Sequence, residues 1–173
     1  MKTLTLPTIA AAMLAGFAML ATASADEKSA LNAADQKFVK TAAQSGMSEV
    51  KVAELGVKKA EHADVKAFAE TLIKHHTAVN NELTSFAEKK GVQLSAAAPA
   101  DASDKVQGLE KQSGKNFDKE FLQGLISSHK KSIKNFENAS ADSKDGELKA
   151  WVDKTLPTLK SHLEEAQALE AKL

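Results

Sequence analysis

The chain has 173 residues, with 23 basic and 23 acidic side chains, five histidines, and neither cysteine nor tyrosine. A formal net charge of zero gives no electrostatic pull toward nucleic acid or anionic membrane surfaces. Without cysteine there is no disulfide, thiolate nucleophile or soft thiolate ligand, and lysine supplies every basic charge, so bidentate guanidinium recognition of phosphate or carboxylate is excluded.

Residues 1–25 read as a secretory signal. Lys2 supplies a positive start, an apolar run follows, and Ala23-Ser24-Ala25 has the small-x-small form of a cleavage site. Cleavage after Ala25 leaves Asp26 as the first residue of a periplasmic or secreted chain with no membrane association. An uncleaved anchor is the competing reading, because the apolar run approaches spanning length. Residues 26–173 have the size of one ordinary domain.

That domain reads as all-α. Alanine, lysine, glutamate and leucine dominate, and no alternating strand pattern persists. A first long helix is expected over residues 35–60, with Phe38, Ala42, Gly46, Glu49, Ala53, Gly56 and Ala60 facing inward. Its small residues imply close approach by a neighbour. A second helix is expected over 63–90, with Val65, Phe68, Ala69, Leu72, His76, Val79, Leu83, Phe86 and Ala87 inward and Gly91 as its stop. The connection is so short that the two must be antiparallel neighbours.

Residues 91–115 are rich in Ala, Ser and Pro, with a short helix that Asp101 or Ser103 would cap and Gly114 would end. The stretch is long enough to run the length of a bundle. A third long helix is expected over 116–139, with Phe117, Phe121, Leu122, Leu125, His129, Ile133 and Phe136 inward. The fourth spans 146–172, with Leu148, Val152, Thr155, Leu159, His162, Leu163, Ala166 and Leu169 inward. Pro157 falls inside it, so it is either one helix or two segments broken near Thr155. The sum is a ferritin-like four-helix bundle: two antiparallel hairpins joined by a long crossover containing a short helix.

Titratable side chains are rarely placed on a core face without partners. Here Glu49, His76, His129 and His162 do so on four different helices, each near mid-helix. One shared polar site follows. Three imidazoles and a carboxylate form a ligand set for zinc, or for iron, copper or manganese. Glu165, one turn after His162, is placed to orient that ring from outside the ligand set. The competing account is a hydrogen-bonded polar layer that only fixes helix register. His75 falls at the border of its stripe, at a helix seam or exposed, and His62 falls in a solvated turn. There is no Gly-rich phosphate loop, no HExxH and no nucleophile elbow.

Residues 38–83, 114–137 and 148–167 carry a further pattern. It consists of Glu49-Val50 followed by Leu55-Gly56, His76 with Asn80, Phe117-Asp118, and Leu156-Pro157 ahead of His162. In these stretches the chain resembles the bacterial domain-of-unknown-function family 4142, exported proteins with a ferritin-like fold. The resemblance implies the bundle and export, and no settled activity. Di-iron ferritin-like proteins carry Glu-x-x-His on two helices. Here Ile73 and Leu159 stand three residues before His76 and His162, so that chemistry is not carried over.

Two functions compete. One is an exported binding protein holding a transition metal at Glu49, His76, His129 and His162. The other is a non-catalytic envelope module that binds another protein through its outer faces. An enzyme ranks behind both, because no further acid–base residue accompanies the site.

Overall fold

The computed structural model describes residues 30–97 and 100–173; the expected signal and its cleavage point lie outside them. Among the described residues five helices follow in order: α1 (Ala33–Lys59), α2 (Ala63–Lys89), α3 (Ala100–Glu110), α4 (Gly114–Asp142) and α5 (Gly146–Glu170). The described residues contain no strand. The fold is the expected all-α, ferritin-like bundle. α1 with α2 and α4 with α5 form the two hairpins, and the crossover carries α3 against α1 and α4.

The helix ends follow from local chemistry. Asn32 caps α1 by accepting the Asp35 N–H at 2.9 Å, and Asp145 caps α5 by accepting the Leu148 N–H at 2.9 Å. α2 stops at Gly91, whose φ of 67° a side chain would resist. Gly91 N–H bonds the Glu88 carbonyl and Val92 N–H bonds the Ala87 carbonyl, which satisfies two orphan acceptors of the last turn. His62 is not simply a solvated turn residue. It caps α2 by accepting the Asp64 N–H at 3.2 Å. α3 begins at Ala100 and ends at Glu110, so Asp101 and Ser103 lie inside it and Gly114 opens α4 instead.

α5 is one helix through Pro157. Proline cannot bond the carbonyl of Asp153, but both residues are exposed, so water can serve that acceptor.

The buried face of α1 is wider than the expected stripe. Val39, Ala43, Val52 and Leu55 are buried along with Gly46, Glu49, Ala53 and Gly56, while Phe38, Ala42 and Ala60 are only partly covered. A single stripe assumes one packing partner; α1 has three, namely α2, α3 and α4. Its glycines do make room for neighbours, but the neighbours are side chains. A Cβ at Gly56 would meet the Phe121 ring at 2.5 Å, and one at Gly46 would strike the Asn80 carboxamide.

The apolar interior is divided. One cluster joins Val52, Leu55, Phe68, Leu72, Phe117, Phe121 and Leu125 with Ala166 and Leu169. The other joins Val39, Leu83, Phe86, Ile133, Phe136, Leu148 and Trp151. The chain directions that this requires are antiparallel between neighbours, with α2 and α4 running the same way across the diagonal. That is why the crossover must travel the length of the bundle. Between the two clusters lies a polar layer. At the end of the first cluster, buried Asp118 of α4 accepts the backbone N–H groups of Glu61 (3.1 Å) and His62 (2.8 Å), tying the α1–α2 turn to the second hairpin.

Candidate metal centre

The structure brings His76 of α2, His129 of α4 and His162 of α5 together between the two apolar clusters. All three are buried, at 7, 2 and 2 % exposure. Each ring offers a nitrogen, and these nitrogens lie within 4.8 Å of one another. Ring centroids are 5.4 to 5.6 Å apart. Sequence spacing explains the convergence: each histidine sits near mid-helix on the stripe facing the core, and helices of similar length place mid-points at one level.

Hydrogen bonds fix the rings. His129 Nδ1 is 3.0 Å from the Leu125 carbonyl oxygen. A carbonyl only accepts, so Nδ1 carries a proton and Nε2 is turned toward the cluster. His129 Nε2 lies 3.4 Å from His162 Nδ1. On the far side, His162 Nε2 is 2.9 Å from Nδ1 of His75. A consistent relay follows: His75 donates to His162, His162 to His129, and His129 to Leu125. His75 is half-buried at the α2–α5 seam and stacks on His162 with centroids 5.2 Å apart.

Burial holds His76 and His162 neutral. His76 is lowered from 6.5 to about 3, first by loss of water and then by His129, His162 and His75. His162 is lowered from 6.5 to about 4, again first by burial and then by His129 and His75. Neutral imidazoles at pH 7 are ligands rather than cations.

Glu49 occupies the same level but stands apart from the three-histidine cluster. It is 9 % exposed and lines a cavity of about 30 Å³ together with His76, His162, Trp151 and Asn80. Glu165 does not orient His162. It is exposed, and the position beside that ring belongs to His75. A turn of helix carries Glu165 round to solvent, whereas His75 arrives from another helix, which periodicity along α5 could not reveal. The signal for His75 was its place at the border of the α2 stripe, and of the two positions expected for it, seam or exposed, it takes the seam. Trp151 was also missed as an inward residue; it precedes Val152 on α5 and fills the second cluster.

Among the described residues no helix is long and apolar enough to cross a membrane. No curated protein matches the chain. Solved structures share the fold. The DUF305 fragment from Deinococcus radiodurans has a TM-score of 0.73 at 13 % identity, covering 83 % of this chain and 99 % of that one. CopM in its Cu(I)-bound form has a TM-score of 0.67 at 19 % identity, covering 80 % and 96 %. Silver-bound CopM, obtained by co-crystallization, has a TM-score of 0.64 at 20 % identity, again covering 80 % and 96 %. At the level of family the match spans most of the chain: the model for a domain of unknown function, DUF4142, covers residues 20–169, and the protein belongs to that family.

Proposed function

We propose that this protein is an exported transition-metal-binding protein whose ligands are His76, His129 and His162, with Glu49 completing the site. The observation that carries the reading is the buried cluster of three imidazoles with converging nitrogens. Two nitrogens at ~2.0–2.1 Å from a tetrahedral ion stand about 3.3 Å apart. The pair His129 Nε2 and His162 Nδ1 is at 3.4 Å. The Leu125 carbonyl and His75 supply the outer hydrogen bonds that orient ligating histidines. Binding through His162 Nδ1 reverses that ring's tautomer, and His75 Nδ1 then accepts instead of donating.

All-imidazole donors suit copper and zinc, and Cu(II) stands above zinc in intrinsic affinity. CopM, which shares the fold, carries copper or silver in its solved forms. Copper is therefore the first metal to test and zinc the second. The signal-like residues 1–25 support export to the periplasm or beyond.

The second reading, a structural polar layer, is favoured by the relay, which satisfies His129 and His162 without a metal. It leaves His76 Nε2 buried with no hydrogen-bond partner among the described residues. An unpaired buried group costs ~1–3 kcal/mol, and a metal removes that cost.

Thermal melts with and without Cu(II) or Zn(II) separate the readings. At metal concentrations 100-fold above Kd, binding raises stability by about 2.7 kcal/mol in the wild type. His129→Leu abolishes most of that gain. A wild-type melt indifferent to both metals, with native-like stability in His129→Leu, overturns the metal reading in favour of the structural layer.

A further inference from the structure

A groove of about 700 Å³ lies between α1, α3 and α4, with Lys105, Glu120 and Lys131 exposed along it. Behind it is the cavity of about 30 Å³ that His76 and His162 line. Three residues line both spaces: Ser45 and Glu49, one turn apart on α1, and Ser132 on α4. The boundary between solvent-filled groove and buried histidines is therefore two hydroxyls and a carboxylate, with no aromatic or aliphatic side chain shared. Glu49 is 9 % exposed, and its Oε2 has no hydrogen-bond partner among the described residues.

The opposite margin of the cavity is the α2–α5 seam, where His75 and Thr158 line it. That side is closed by side chains already paired. His75 stacks on His162 with centroids 5.2 Å apart and shares a 2.9 Å hydrogen bond with it.

Volume and donor chemistry say what the boundary would do to a cation. The groove has room for an ion with its water, since each water takes ~30 Å³ of liquid. The cavity admits a single water-sized body, for which ~10–15 Å³ suffices. An ion passing inward must shed most of its hydration shell between the two. Stripping a charge of water is costly unless other polar atoms replace it. The oxygens of Ser45, Glu49 and Ser132 are the replacements at hand. Oxygen donors hold copper or zinc less well than imidazoles do, so an ion taken up there moves on to the histidines.

We propose that Ser45, Glu49 and Ser132 form a loading position, through which the metal of the histidine cluster enters from the α1–α4 groove. This route rests on the metal reading above and adds to it where the ion passes. The carboxylate that completes the site is also the one the ion meets first.

The test is stopped-flow mixing of the whole bundle with Cu(II), read by quenching of Trp151, the only tryptophan, beside an equilibrium titration of the same proteins. Ser132→Leu fills the boundary and should slow association at least about tenfold, because entry then waits on an opening of the helices. Ser45→Leu should do the same, and it keeps the test intact if one variant fails to fold. Thr158→Leu, at the seam, should keep the wild-type association rate. Glu49→Leu should slow association, whereas a carboxylate that only completes the site would speed dissociation and leave association unchanged. Wild-type association rates in the folded serine variants, or slowing by Thr158→Leu in their place, overturn the route and leave the metal reading intact. A wild-type titration that shows no saturable Cu(II) binding overturns both.

Discussion

Acid should unfold the metal-free protein well before its carboxylates titrate. An unfolded histidine takes up its proton near pH 6.5, whereas His162 and His76 in the folded bundle do so at about 4 and about 3. The unfolded state therefore binds more protons throughout that interval. Stability is full above about pH 6.5 and falls as pH drops, levelling only below the folded values. At pH 5, ~1.5 units below the unfolded value, each ring costs about 2 kcal/mol at 1.36 kcal/mol per unit, or about 4 kcal/mol together. That is a large part of the ~5–15 kcal/mol of an ordinary domain. For a domain of this size it lowers Tm by about 8–16 °C. Circular-dichroism melts from pH 7 to pH 5, in chelator and at constant ionic strength, measure it. Glu147, held low by Lys89, and Asp153, held low by Lys149, lose their contribution only further down, as pH falls through the carboxylate range. The chosen window thus isolates the histidines. The double variant His76→Gln/His162→Gln should flatten the profile. A wild-type Tm that moves by less than about 4 °C, equivalent to roughly 1 kcal/mol, would refute the claim that burial holds these rings neutral.

Two further outcomes concern the scaffold. Asp118→Ala removes the acceptor of the Glu61 and His62 backbone N–H groups and should cost about 2 kcal/mol in urea denaturation; a loss below ~0.5 kcal/mol would show that water replaces the carboxylate freely. Gly56→Ala should destabilise by about 1–2 kcal/mol because the added methyl meets Phe121 and Ala69, whereas Gly124→Ala, with nothing within 4 Å of the new Cβ, should stabilise by up to ~1 kcal/mol. Equal signs for the two glycines would contradict the packing described.

The architecture was legible in the sequence because it depends on local signals. The periodic stripes of α2, α4 and α5 set both element type and burial. The tight turn before Ala63 set the first hairpin, and the Pro- and Ser-bearing stretch after Gly91 set the crossover. The convergence of three candidate residues followed from the same stripes: His76, His129 and His162 are polar interruptions in otherwise apolar faces. What could not be read was reach across the bundle. Glu165 is only three residues from His162 along the chain and His75 is 87 away, yet it is His75 that meets His162, because α2 packs against α5 there. Asp118 carried no helical signal of its own; its partners lie some 56 residues away in sequence, in a turn. Trp151 and the extra buried positions of α1 depend on how many neighbours a helix has, which periodicity does not encode.

The separation of the interior into two apolar clusters has a consequence for how changes combine. Phe117 and Phe136 belong to different clusters on one helix, with the histidine layer between them. Substitutions at distant sites with no shared partners add within a few tenths of a kcal/mol, and only contacting residues couple. Leu163 packs against both clusters, and it sits beside His162. Each half of the bundle can therefore be repacked with little effect on the other, while the mid-plane residues are the ones whose changes are felt at both ends.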